Sequence, residues 1–128
     1  SNKLSINMEY SITLLSRNPK ALVEFWIKAL SLHARNKSLQ ASGEYDFVDL
    51  YYRNQKVMTV VKSTIDTTGL QISIRSYSIK KEYAKLTKRD LNCEWFPQNQ
   101  DLFSVKDPQG NWLSVCQHPN FVNLENES

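Results

Sequence analysis

Cys116 and His118 are the two residues with the clearest potential for covalent chemistry, and they lie two positions apart. A thiol becomes a nucleophile when a nearby imidazole takes its proton. Residues two apart on a strand share a face, but His118 precedes Pro119, where a strand is expected to end. No third group that would orient the imidazole is evident. We therefore favour a buried structural thiol and predict no catalytic residue.

A second group of residues suits non-covalent binding. Trp112 and Tyr51 offer flat rings for stacking, and Arg75 offers a guanidinium that binds carboxylate or phosphate groups. If the apolar residues of alternating segments face helices, the residues between them share the opposite face. On that face we predict a ligand-binding set: Ser11, Thr13, Tyr51, Gln71, Ser73, Arg75, Trp112 and Ser114. Such a lining suits a small planar, polar or anionic ligand.

Simpler interpretations of these residues remain open. A polar face of an antiparallel sheet is often merely solvated. Arg75 stands where a strand would end, and it can form a surface ion pair instead of binding a ligand. Trp112 can belong to the core or to a dimer interface.

Composition narrows the class of protein. The 128 residues have a hydrophobic fraction of 41%, so we expect one domain over residues 1–128, with a fraying polar tail over 120–128 and no element over 1–8. The net charge of +3 gives little support for nucleic-acid binding, and no apolar run reaches the roughly 18 residues of a membrane span. The two cysteines do not make a disulfide framework or a zinc set, so a reducing, cytoplasmic location is expected.

The first half of the chain predicts a strand, a helix and three strands. Ile12 and Leu14 alternate with polar neighbours in a strand over 9–16. Asn18 then serves as N-cap and Pro19 opens a helix with apolar residues at three- and four-residue spacing. Strands follow over 32–37, 45–53 and 55–62, with a short turn between the last two.

The same order recurs after a polar break over 64–69, which we interpret as a linker. A strand over 70–75 leads to a helix that begins after Ser78 and ends at 90–92, and three strands follow over 93–96, 102–106 and 111–117. Asp107-Pro108-Gln109-Gly110 predicts the turn between the last two strands. The repeat predicts an α+β fold of two βαβββ modules, about 9–62 and 70–117, whose sheets curl into a cup or open barrel with the helices outside.

Two segments resemble the vicinal oxygen chelate superfamily, the fold of glyoxalases, bleomycin resistance proteins and extradiol dioxygenases. Residues 18–32, NPKALVEFWIKALSL, are similar to its opening helix, and residues 107–115, DPQGNWLSV, are similar to its closing hairpin. The resemblance extends over residues 9–117. It implies a ligand cup, and it also implies a homodimer, for which we expect Tyr52, Trp95 and Phe96 to be exposed.

Metal-binding members of that superfamily place ligands on the first and last strands of each module. The matching positions here hold Ser11, Val57, Thr59, Val61, Gln71 and Ser114. Divalent ions prefer imidazole and carboxylate at neutral pH, and only Gln71 is of a type that the family uses. We therefore expect no metal and no cofactor.

Three hypotheses follow for function. The favoured one is a small-molecule-binding protein of the glyoxalase/bleomycin resistance type that lacks a metal site and has neither nucleic acid nor membrane as a partner. The alternative is an enzyme of the same superfamily, of lyase, isomerase or dioxygenase type, with a non-standard site. The third is a structural or interaction protein whose cup is filled by its own side chains.

Overall fold

A computed structural model describes residues 9–119, so the expectations for residues 1–8 and 120–128 lie outside the described part. Its elements are β1 (Ile12–Ser16), α1 (Pro19–Leu30), β2 (His33–Leu39), β3 (Tyr45–Tyr52), β4 (Gln55–Lys62), β5 (Gln71–Ser76), α2 (Ile79–Lys88), β6 (Cys93–Phe96), β7 (Asn99–Lys106) and β8 (Trp112–Gln117). They form two compact units, and the boundary between the units in the sequence lies between Asp66 and Thr67, within the segment predicted as a linker. The predicted fold class is confirmed: each unit is one βαβββ module.

Unit 1 is a four-stranded sheet covered on one face by α1. The strand order is β1-β4-β3-β2, with β1 parallel to β4 and the other neighbours antiparallel. Alternate residues of the strands point to the helix, so Leu14, Leu50 and Met58 are completely buried together with Leu22 and Trp26 of α1. Burial of this apolar area is what holds the helix on the sheet.

Unit 2 repeats this arrangement with the order β5-β8-β7-β6, and β5 is parallel to β8. Leu86 of α2 is completely buried, as are Phe103 and Leu113 of the sheet. Trp95 stacks on Tyr83 of α2 at 4.8 Å between ring centroids, and Phe103 lies edge-on to both rings at 5.3 Å. The prediction that Trp95 is exposed is therefore wrong.

The other two members of that prediction, Tyr52 and Phe96, are exposed. Phe96 follows Trp95 on β6 and points to the opposite face of the sheet, where 43% of it is exposed. Tyr52, at the end of β3, is 46% exposed. These two residues therefore stay available for an interface.

Both helices begin at the predicted residues, but a different side chain makes the local hydrogen bond. Asn18 and Ser78 occupy the N-cap positions, and neither side chain caps its helix. Instead, the hydroxyl of Ser16 accepts the N–H of Asn18 at 3.0 Å, and the hydroxyl of Ser76 accepts the N–H of Ser78 at 3.1 Å. The last residue of the first strand in each unit thus shapes the turn into the helix.

The last strand of each unit is hydrogen-bonded to the turn that leads into the helix of that unit. The Nζ of Lys62 donates to the carbonyl of Arg17 at 2.7 Å, and the Nε2 of Gln117 donates to the carbonyl of Tyr77 at 2.9 Å. The Oε1 of Gln117 also accepts the N–H of Ile79 at 2.9 Å and so caps α2. The internal repeat predicted from the element order is thus also present in these contacts.

The predicted turn between β7 and β8 is present and is stabilised by its own aspartate. One carboxylate oxygen of Asp107 accepts the N–H groups of Gln109 and Asn111, each at 2.8 Å. Gly110 has a φ of 84°, a left-handed conformation that glycine adopts without steric cost. The motif that resembles the superfamily is therefore structural in this chain.

Three strand boundaries differ from the predicted ones by two or more residues. β1 begins at Ile12 rather than at residue 9. β2 continues to Leu39 because Asn36 adopts a left-handed φ of 53°, which allows pairing to resume after a bulge. β7 begins at Asn99, which pairs with Phe96 across a tight turn.

Residues 9–119 contain two helices, and a bilayer's hydrocarbon core is about 30 Å thick. Neither α1 nor α2 is long and apolar enough to cross a membrane.

Candidate ligand-binding site

Each sheet has a second face that points away from its helix, and we call it the helix-free face of that unit. In unit 1 this face includes Thr13, Asp49 and Tyr51, and in unit 2 it includes Ser73 and Trp112. Cross-strand partners share a face of a sheet, so the pairing registers place each predicted site residue.

The centre of the helix-free face of unit 1 is a hydrogen-bonded polar group. The hydroxyl of Thr59 donates to Asp49 at 2.7 Å, and the side-chain amide of Asn36 donates to the other carboxylate oxygen at 3.2 Å. Thr13 pairs with Thr59 and is exposed, while Ser11 lies just before β1 and is exposed. Asp49 is therefore an anchored carboxylate with two neutral donors.

Towards the turn between β3 and β4, the same face carries an aromatic ring beneath a cation. The guanidinium of Arg35 lies 4.8 Å from the centre of the Tyr51 ring. Its Nη2 makes long hydrogen bonds to the carbonyl of Arg53 at 3.5 Å and to the side chain of Asn54 at 3.4 Å. The ring of His33 stacks against Tyr51 at 6.1 Å. Cation–π contacts of this kind orient the guanidinium on the ring.

A hollow of about 510 Å³ lies at this end of unit 1. We call it the Arg35 pocket, and it is lined by Glu9, Tyr10, Arg35, Tyr51, Asn54, Gln55 and Lys56. Its volume falls within the range of roughly 300–1,000 Å³ that is typical of small-molecule sites.

A second hollow, of about 440 Å³, lies between the start of α1 and the β2–β3 hairpin. Its lining contains two lysines, Lys20 and Lys37, and two glutamates, Glu24 and Glu44. Because these charges balance, the second hollow shows no preference for an anion.

The helix-free face of unit 2 carries the other half of the predicted set. The Nζ of Lys106 lies 5.4 Å from the centre of the half-buried Trp112 ring. The side-chain amide of Gln71 donates to the hydroxyl of Ser114 at 2.7 Å, and the exposed Ser73 pairs with Ser114 across the sheet. Unit 2 therefore also presents a ring beside a cation, with hydroxyl groups next to it.

Arg75 and the candidate thiol lie at the end of this face. Arg75 is exposed and pairs with Cys116. The thiol of Cys116 donates to the carbonyl of Ile74 at 3.5 Å, and the ring of His118 stacks on Tyr77 at 4.6 Å. The thiol and the imidazole each have a structural contact, and the thiol is half-buried rather than fully buried as expected.

The residues at the superfamily's metal positions do not fit a metal. Gln71 and Ser114 are hydrogen-bonded to each other, and Ser11 offers only a hydroxyl. Within residues 9–119 no group of three or more His, Cys, Asp or Glu side chains could hold a metal ion. Hydroxyl and amide groups without a carboxylate or imidazole bind divalent ions weakly.

The sequence did not reveal the residues around Tyr51 that line the Arg35 pocket. Arg35 lies two residues after His33 on β2, so the two side chains share a face, and this spacing was the available signal. Nothing in the sequence indicated that Lys56 lines this pocket, because simple alternation from Met58 assigns Lys56 to the face that the helix covers. A bulge after Leu50 pairs Tyr51 with Lys56 and so changes that assignment.

No protein-family model and no curated protein sequence matches this chain. Solved structures do match. A member of the glyoxalase/bleomycin resistance protein/dioxygenase superfamily from Sphaerobacter thermophilus DSM 20745 is 18% identical, with a TM-score of 0.60 over 89% of this chain and 99% of that chain. A possible glyoxalase from Bacillus cereus is 16% identical, with a TM-score of 0.63 over 86% and 98%.

The antibiotic-binding protein TnmS3 from Streptomyces sp. CB03234 is 13% identical to this chain, with a TM-score of 0.60 over 88% of this chain and 98% of that chain. At this level of identity the similarity establishes the fold. The chain has the fold of the vicinal oxygen chelate superfamily, as the helix and hairpin motifs predicted.

Proposed function

We propose that this protein binds a small polar or anionic molecule on the helix-free faces of its sheets, without a metal ion. The observation that carries the proposal is a ring beside a cation on each face: Tyr51 with Arg35 in unit 1 and Trp112 with Lys106 in unit 2. A ring and a cation together suit ligands that combine a flat part with a negative group. The similarity of the fold to that of an antibiotic-binding protein supports the same class of function.

A thermal-shift screen of small carboxylates, phosphates and neutral polar compounds tests this proposal. A ligand at 100 times its Kd stabilises the folded state by about 2.7 kcal/mol, a readily measured rise in Tm. We expect hits among the anions that persist in the presence of a chelator. A screen with no stabilising compound contradicts binding, and hits that vanish with chelator contradict the metal-free mechanism.

Two tyrosines on β3 offer a matched pair of variants for any hit. Tyr51 lies on the helix-free face, while Tyr52 follows it and points to the opposite face. Tyr51→Ala should weaken binding, and Tyr52→Ala should leave it unchanged. Equal effects of the two variants would show that the ligand does not occupy the helix-free face of unit 1.

The alternative, an enzyme of the same superfamily, makes a different prediction. Such an enzyme would turn over its ligand, and, if it is metal-dependent, elemental analysis of the purified protein would show a metal in stoichiometric amount. Either result would replace the binding proposal by the enzymatic one.

We further propose that the protein is a homodimer in a reducing compartment such as the cytoplasm. Exposed Tyr52 and Phe96 support an interface, and the free thiols of Cys93 and Cys116 support the compartment. Light scattering on the eluting protein tests the oligomeric state, and a monomeric mass at micromolar concentration contradicts it.

A further inference from the structure

Resting on the proposed function, we propose that the Arg35 pocket is the ligand's anion subsite and that it takes a planar aromatic carboxylate. Arg35 and Lys56 bind the carboxylate, and the rings of Tyr51 and Tyr10 contact the aromatic part. Three features of unit 1 lead to this assignment: the orientation of Arg35, the charge of the pocket and its size.

The orientation of Arg35 is set by the protein itself. The guanidinium rests on the Tyr51 ring at 4.8 Å, and its Nη2 contacts the turn at Arg53 and Asn54. Its Nε and Nη1 make no hydrogen bond to any residue between 9 and 119. These contacts favour one orientation of the exposed side chain, and two nitrogens keep donors for a ligand, which lowers the cost of binding.

The charge of the pocket is positive because its cations are not neutralised by their neighbours. Asp49 stands opposite Arg35 across the strands, but it accepts its hydrogen bonds from Thr59 and from an asparagine. Among the described residues neither Arg35 nor Lys56 forms an ion pair, and Glu9 is the one carboxylate in the pocket lining. The lining therefore has two cations and one anion, which favours an anionic ligand.

The size and the rings of the pocket select the rest of the ligand. A volume of about 510 Å³ admits a molecule with one or two fused rings. Tyr51 is half-buried and Tyr10 is 78% exposed, so one ring forms a floor and the other an exposed wall. A flat ligand gains more contact with such a lining than a puckered one of equal size.

The test titrates the full ¹⁵N-labelled chain with three probes and follows amide chemical shifts. The first probe is 2-naphthoate. The second, 2-naphthamide, has the same rings without the charge, and the third, cyclohexanecarboxylate, has the charge without a flat ring. We expect 2-naphthoate to bind at least about tenfold more tightly than 2-naphthamide, the effect of one charge-assisted hydrogen bond. It should also bind more tightly than cyclohexanecarboxylate, which has no flat ring to stack on Tyr51. Its shifts should centre on residues 33–35 and 51–56.

Variants assign the effect to the pocket. Arg35→Gln and Lys56→Gln should each weaken 2-naphthoate about tenfold and leave 2-naphthamide unchanged, because each removes one charged donor. Glu9→Gln should strengthen 2-naphthoate. Lys81→Gln is the matched control, since it removes an exposed cation from α2, and it should have no effect.

The outcomes separate this inference from the function on which it rests. Equal affinity for 2-naphthoate and 2-naphthamide, or equal losses in the Lys56 and Lys81 variants, overturns the inference. Shifts centred on Trp112 instead also overturn it but preserve the proposed function. The absence of shifts with all three probes overturns the inference, whereas the proposed function fails only if the wider thermal-shift screen is negative as well.

Discussion

The side chain of Asn111 joins two segments of unit 2, and its removal is the most informative test of the fold. The residue is completely buried. Its Nδ2 donates to the carbonyl of Thr67 and to a carboxylate oxygen of Asp107, each at 2.9 Å. Its Oδ1 accepts the N–H of Leu70 at 2.9 Å. One amide thus connects the β7–β8 turn to the segment that leads into β5.

Asn111→Ala removes three hydrogen bonds and creates unpaired groups. Each bond contributes about 1 kcal/mol net, and leaving a buried partner without a bond adds to that cost, so we expect a loss of about 3–4 kcal/mol in the free energy of unfolding. Domains have only about 5–15 kcal/mol in total. The variant should therefore unfold at a much lower urea concentration.

Urea unfolding of the full chain, followed by tryptophan fluorescence, measures this loss. Asn99→Ala is the matched control, because Asn99 is exposed and its side chain accepts one N–H, that of Asp101, at 2.9 Å. We expect that control to lose about 1 kcal/mol or less. A loss for Asn111→Ala no larger than that of the control would refute the reasoning that this amide stabilises unit 2.

Three further predictions concern separate sites. Gly110→Ala should destabilise the protein more than Gly43→Ala in urea, because both glycines have a positive φ but only a Cβ at Gly110 would meet a hydroxyl oxygen at 3.0 Å; equal losses would contradict this. The main-chain N–H and the guanidinium of Arg17 lower the pKa of Asp66 below its usual 3.8, so this carboxylate stabilises the fold at neutral pH and the contribution disappears as the pH falls through the lowered pKa. Asp66→Asn should flatten the acid limb of the stability profile, and an unchanged profile would argue against the contact. Burial raises the pKa of the Cys93 thiol, so iodoacetamide should modify Cys93 more slowly in the native protein than in urea at about pH 8, as mass spectrometry can measure; equal rates would show an accessible thiolate.

The order and the faces of the elements could be predicted because the apolar residues follow regular periods. Leu14 alternates with Thr13 on β1, and Leu22 and Trp26 are four apart on α1. In each case the apolar residue is buried against the other element. Trp95 was misjudged because β6 has only four residues, too few for alternation to show which of its two large rings packs against α2.

The Arg35 pocket could not be predicted for a different reason. Pairing of Tyr51 with Lys56 depends on a bulge, and the left-handed conformations of Asn36 and Arg53 that shape the neighbouring turns have no strong sequence signal. The predicted residues Tyr51 and Trp112 do carry cations next to their rings, but those cations come from other strands. Alternation assigns a residue to a face, whereas its neighbour across the sheet depends on register.

In each unit the last strand is hydrogen-bonded to the turn after the first strand, and this arrangement determines where the chain can be cut. Lys62 and Gln117 each close their own half, Asp66 binds back to Arg17, and Thr67 binds forward to Asn111. A cut between residues 66 and 67 would therefore sever none of these bonds. That peptide link is the natural position at which to split the protein into two fragments, or to insert a reporter, while each half keeps its own internal hydrogen bonds.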